Sequence, residues 1–146
     1  MSYIKHVLQP GETIRYQGTE HWIIYWPAIL LALVGVGAIA FGPPGWIAAL
    51  ICFAAALLFA APAWFKRWTT EIAVTDRRVI WARGFIWRDS KEVHMNKVAS
   101  VDVDQSVLGR ILDYGTVTIH TTGGGKPEEL KRVERPLQLR NQVTAI

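Results

Sequence analysis

The sequence predicts an α+β membrane protein: a hairpin of two transmembrane helices, followed by a small antiparallel β domain closed by a C-terminal helix. Three observations predict it. All of the charged side chains, 16 Lys or Arg and 12 Asp or Glu, lie outside residues 22–65. Inside that window two uncharged stretches of 20 residues are separated by Gly42-Pro43-Pro44-Gly45. From Thr69 onward the apolar pattern changes to a period of two, the mark of half-buried strands.

The two stretches are Trp22 to Phe41 and Trp46 to Phe65. Twenty helical residues span about 30 Å, the thickness of a bilayer core. Neither stretch has the polar face that a helix packed on a soluble core would keep. Two consecutive prolines fix φ and remove donors, so one continuous helix is excluded and a turn at 42–45 is expected. Tryptophan marks the ends: Trp22 and Trp26 open the first span, Trp46 opens the second, and Trp64 and Trp68 close it. Amphipathic rings settle at headgroup level, so these five, with Lys66 and Arg67, are the expected membrane-interface residues. Small residues recur as Ala28, Ala32, Gly35 and Ala40, and as Ala48, Cys52, Ala56 and Ala60, faces on which two helices can approach closely. Cys52 is the one cysteine and is read as a small apolar packing residue. Ala38-Ile39-Ala40 superficially resembles a leader cleavage site, but a second span follows at once, so the first is read as retained.

Orientation follows from basic residues near the span ends. The turn has none, whereas Lys66, Arg67, Arg77 and Arg78 follow the second span, and Lys5 and Arg15 precede the first. Both termini are therefore expected on the cytoplasmic side. The expected organisation is a cytoplasmic tail over 1–21, the hairpin over 22–65 and the β domain over 66–146.

In the last part, Glu71 to Thr75 and Arg78 to Arg83 read as strands joined at Asp76-Arg77, with Gly84 allowing a tight turn into Phe85 to Arg88. Val93 and Met95 extend the alternation. Val98 to Asp104 and Tyr114 to Thr122 are further strands, with a short helical turn over Val107 to Leu112 capped by Ser106. After a Gly123-Gly124-Gly125 loop, Glu128 to Val133 pairs back. Pro136 suits a first helical turn, and Leu139, Val143 and Ile146 form one stripe of that helix.

Several of these segments resemble one family. Thr75-Asp76-Arg77-Arg78-Val79-Ile80 with Gly84, Lys97 to Val101, Leu108 to Val117, the opening Leu8-Gln9-Pro10-Gly11-Glu12 with His21, and the close around Pro136 are similar to the bacterial pleckstrin-homology (PH) domain family, membrane-flanked type. The resemblance implies a PH-like antiparallel β-sandwich or partly open barrel capped by the last helix, and a membrane-tethered interaction module without catalysis. Eukaryotic PH domains often bind phosphoinositides through the first hairpin loop. Here that loop reads as only Asp76-Arg77, too short for such a pocket, so no phosphoinositide site is carried over.

No catalytic constellation emerges. The glycine run precedes Lys126-Pro127 and lacks phosphate-loop spacing. His6, His21, His94 and His120 have no metal-ligand spacing and read as surface residues. Asp102 and Asp104 share a strand face with no nucleophile in sight. No enzyme activity, cofactor or metal is expected, and the basic excess forms no stripe suited to nucleic acid. The expected partners are the lipid bilayer of a bacterial inner membrane, a protein recruited to its cytoplasmic face, and further copies of the chain. Arg77, Arg78, Arg88 and Lys91 are the candidate lipid-headgroup contacts, each Lys or Arg near an anionic leaflet contributing about 1 kcal/mol. Exposed sheet edges and the groove beside the last helix are the candidate places for a peptide.

Overall fold

A computed structural model of the chain describes residues 4–84 and 87–145. It divides into two compact units: residues 22–67, and residues 1–21 together with 68–146.

The first unit is helical. A 3-10 turn, Trp22–Tyr25, leads into the first long helix, Trp26–Ile39, and the second runs over Pro43–Thr69. The turn is shorter than expected and the prolines are not in it. Pro43 and Pro44 are the first residues of the second helix, where a missing N–H costs nothing. Gly42, at φ +74°, reverses the chain instead. Gly45 lies within the helix, and a Cβ there would stand 2.0 Å from the Ala38 carbonyl oxygen. The buried small residues are Ala28 and Gly35 on one helix and Gly45, Ala49, Ala56 and Ala63 on the other. Of the expected second row only Ala56 is buried, and Ala48 is exposed. Each four-residue step drifts about 40° around a helix, whereas steps of seven stay nearly on one side. A Cβ on Gly35 would lie 3.2 Å from that of Cys52, just under the usual disulfide separation of about 3.5–4.5 Å. Gly35→Cys is therefore expected to form an intramolecular disulfide with Cys52 on mild oxidation of the full chain. Mass spectrometry would show loss of two hydrogens and of both labelling sites, and two labelled thiols after oxidation would refute the packing.

The second unit is the β domain. After a helical turn, α1 (Ile4–Val7), its strands are β1 (Ile14–Gly18), β2 (Glu71–Thr75), β3 (Arg78–Arg83), β4 (Asp89–His94), β5 (Val98–Asp104), β6 (Tyr114–Thr121) and β7 (Glu128–Glu134). With the long helices as α2 and α3, α4 covers Val107–Leu112 and α5 Pro136–Thr144. One antiparallel sheet runs β1-β2-β3-β4 and the other β5-β6-β7, both open. The expected cytoplasmic tail is no separate tail: Ile14 to Gly18 pairs with β2, with Gly18 opposite Ile72. Five alternating residues behind Pro10-Gly11 are a weak signal until a partner strand covers them. The consequence is topological. Neighbouring strands β1 and β2 are joined by residues 19–70, which carry both long helices, so the turn at Asp76-Arg77 is the second connection of the sheet, not the first. The expected strand at 85–88 falls partly outside the described residues, and Asp89–His94 is the segment that pairs with β3.

Both sheets and α5 share one core. Ile72, Val74, Val79 and Trp81 come from the first sheet, Val117, Ile119, Leu130 and Val133 from the second, and Leu139 and Val143 from α5. Ser106 caps α4, accepting from the Gly109 N–H at 3.1 Å, and Asp113 closes it in the left-handed region. Tyr16 donates its hydroxyl hydrogen to the Glu134 carbonyl, tying β1 to the end of β7, and burial holds that phenol up at about pKa 12.

Candidate functional site

The residues around the β2–β3 turn form a buried ion cluster rather than a headgroup site. Arg78 is 6% exposed. Its Nε donates to Glu12 Oε1 at 3.0 Å, one terminal nitrogen to Glu12 Oε2 and to the Val7 carbonyl, both at 3.0 Å, and the other to Glu92 Oε2 at 2.6 Å. Thr75 Oγ1 lies 2.7 Å from Glu12 Oε1 and accepts from the Arg78 N–H at 3.1 Å. The Gln9 N–H also reaches Glu12, at 2.9 Å. The opening Gln9-Pro10-Gly11-Glu12 and the turn Thr75-Asp76-Arg77-Arg78 are thus two halves of one lock. Arg78 is therefore almost fully buried with its guanidinium engaged by two carboxylates, not the exposed side chain expected of a lipid-headgroup contact. Sequence alone gave no sign of the lock, because 66 residues separate its charges.

The lock has a pH signature. The Arg78 guanidinium, aided by Thr75 and Gln9, holds the Glu12 carboxyl down at about pKa 2, against an ordinary 4.5. A carboxylate whose folded value is depressed stabilises the fold fully above its unfolded value. That contribution, on the order of 3 kcal/mol, is lost as pH falls from about 4.5 toward 2. Urea midpoints of the full chain in detergent should fall over this window, and Glu12→Gln should remove most of the slope.

The other expected residues separate. Arg77 is exposed at the β2–β3 turn, whereas Arg88 is exposed beside the β3–β4 connection, at the opposite end of that sheet. Lys91 is held by Glu128 at 2.9 Å, an ion pair between the two sheets that raises the lysine's pKa. Trp22, Trp26, Trp46, Trp64 and Trp68 are all exposed, by 43–60%, while Lys66 and Arg67 lie in the last turns of α3, where cations complement the helix dipole. His21, read as a surface residue, is 4% exposed and stacks on Tyr114 with ring centroids 5.1 Å apart. His120 Nε2 lies 2.9 Å from Asp102 on an exposed strand face. Among the described residues no group of His, Cys, Asp or Glu is placed to hold a metal ion.

What the fold does assemble is a groove of about 550 Å³ at the Arg77 end of the domain. Met95, Val98, Val101 and Val143 supply its apolar lining, and Asp76, Arg77, His94, Asn96, Ser100 and Thr144 its polar groups. One wall is β5, the outer strand of its sheet, and the other is the end of α5. An outer strand offers a row of backbone groups to an added strand, and an apolar lining with a few polar groups is the usual make-up of a binding cleft. The lock described above holds the β2–β3 turn that borders this groove.

A family model described as "Bacterial PH domain" matches residues 27–145. The chain belongs to the bacterial PH domain family. The match takes in both long helices, from the second residue of α2 onward, and the β domain from β2 to α5, and leaves out residues 1–26 with α1 and β1. No curated protein and no solved structure matches the chain. In this bacterial PH protein the segments Trp22–Ile39 and Pro43–Thr69 are long and apolar enough to cross a membrane, with mean hydropathies of 2.1 and 2.2 over their most apolar 18 residues. Their apolar side chains stand outward, among them Leu33, Leu50 and Leu58 at 65%, 71% and 75% exposure.

Proposed function

We propose that this protein is a membrane-anchored, non-catalytic binding module, in which α2 and α3 cross the bacterial inner membrane and the β domain takes an extended segment of a partner protein along β5. The groove between the outer strand β5 and α5 carries this reading. Backbone pairing with the strand supplies affinity, and the apolar positions Met95, Val98 and Val143 select side chains. The outward apolar surface of both helices supports the membrane anchor, since patches of that extent on soluble monomers are rare. The basic residues flanking the helices support cytoplasmic termini and a cytoplasmic β domain.

A photo-crosslinking residue in place of Ala99, in the full chain in native membranes, tests the groove. The expected result is a discrete protein adduct at Ala99, absent at the exposed β7 position Lys131. Adducts to lipid alone, to a second copy, or equally from both positions would overturn the reading.

A further inference from the structure

Outside residues 22–69, the strongly exposed large hydrophobic side chains among the described residues are few: Trp87 at 89%, Val107 at 75%, Leu108 at 62%, Ile111 at 73% and Leu137 at 44%. Three of them stand on the six-residue helix α4. A loop that merely joined β5 to β6 would have no use for three bare aliphatic side chains. Yet α4 is built firmly: Ser106 caps its start, Asp113 closes its end, and a Cβ on Gly109 would stand 2.6 Å from the Tyr114 carbonyl oxygen. The helix therefore presents Val107, Leu108 and Ile111 outward on a fixed base.

Their place in the domain names the occupant. Tyr114, on which α4 rests, stacks with His21, and the His21 N–H donates to the Arg132 carbonyl at 2.7 Å. His21 is the last residue before Trp22, where the apolar segment begins. Leu137 is beside α4, since the Arg135 N–H bonds to the Asp113 carbonyl at 2.9 Å. Trp87 follows β3, whose last residue, Arg83, reaches Glu20 at 3.5 Å. Both groups are thus reached from Glu20 and His21, the point at which the chain leaves the β domain. At the other junction only Thr70 separates α3 from β2. The end of the β domain that carries α4 and Trp87 is thus the end at which the chain enters and leaves the apolar segments.

We infer that α4 is a second membrane contact: Val107, Leu108 and Ile111 dip into the interfacial layer of the bilayer, with Trp87 as an outlying anchor, and fix how the β domain is held on the membrane. Arg110 on the same helix suits anionic headgroups. The inference rests on the reading that α2 and α3 cross the membrane.

The test uses the full chain carrying Cys52→Ala, with a single cysteine at Leu108 or, as a control, at exposed Lys97, each labelled with an environment-sensitive dye. The proteins are reconstituted into vesicles containing anionic lipid, with or without spin-labelled lipid as quencher. The expected result is a blue-shifted dye at position 108 that is quenched by the lipid at least about twofold more than at position 97, in vesicles that carry the protein on flotation. Flotation with equal, water-like signals at both positions overturns the α4 contact and leaves the anchor standing. A blue shift at 108 without lipid quenching also overturns it, marking a protein interface instead. Failure of the protein to float overturns both readings. Because Leu108 is exposed, the aspartate pair Leu108→Asp and Ile111→Asp should keep the fold and lose the dye shift at a neighbouring labelled position, Val107→Cys.

Discussion

Arg78→Ala should lower the stability of the β domain by about 3–5 kcal/mol, the cost of leaving a buried partner charge uncompensated. The partner is Glu12, whose side chain is wholly buried and receives two of the Arg78 nitrogens. Removing the arginine also strips the Val7 carbonyl and Glu92 of a donor. Against a total stability of about 5–15 kcal/mol for an ordinary domain, the loss would unfold a large fraction of molecules in mild denaturant. Urea titration of the full chain in detergent, followed by the β signal in circular dichroism, measures it. Two companions give the test its meaning. Arg77→Ala, one residue away and exposed, should stay within about 0.5 kcal/mol. The double change Glu12→Leu with Arg78→Met should recover much of the loss, because an apolar pair avoids the desolvation of both ions. A cost below about 1 kcal/mol for Arg78→Ala, or a double variant no better than the single one, would mean that the lock does not hold the turn.

This lock also marks the limit of what the sequence discloses. The long helices are legible because each satisfies its own backbone hydrogen bonds, so a run of apolar residues suffices to announce them. Strands β5 and β6 are legible for a related reason, since alternation within seven or eight residues reports a half-buried face, and β2 and β3, buried at nearly every position, read as short apolar runs bounded by turn residues. Strand β1 is different. Its five residues, Ile14-Arg15-Tyr16-Gln17-Gly18, acquire meaning only from β2, which stands more than 50 residues further along the chain. The same distance hides the pairing of Glu12 with Arg78, so an arginine beside a turn reads as solvent-facing when it is the centre of a buried cluster. His21 misleads in the same way, since its stacking partner Tyr114 lies far along the chain. The groove along β5 could be anticipated as an outer strand beside the last helix, but not its lining. Asp76, Arg77 and His94 reach it from the other sheet, Met95 and Asn96 from the turn between the sheets, and no local pattern brings two sheets together.

Leu139→Ala should cost about 2–5 kcal/mol, the range for truncating a fully buried leucine where the surroundings cannot collapse. Leu139 is 0% exposed and belongs to the core formed by both sheets. Since α5 packs on β1 and β2 of one sheet and on β5 and β6 of the other, a cavity at Leu139 is bounded by two stiff sheets with little freedom to close. Leu137→Ala, at 44% exposure on the same helix, should stay within about 0.5 kcal/mol. Urea midpoints of the two variants measure the contrast, and near-equal values would mean that α5 lies outside the cooperative unit. The same helix ends in Val143 and Thr144, which line the groove. Loosening α5 should therefore raise hydrogen exchange along β5 and weaken the protein adduct at Ala99, whereas Leu137→Ala leaves both unchanged. A site walled by a core helix has its affinity coupled to the packing beneath it. Leu139 is where that coupling should be largest, since it is the fully buried anchor of the wall whose outer end is Val143.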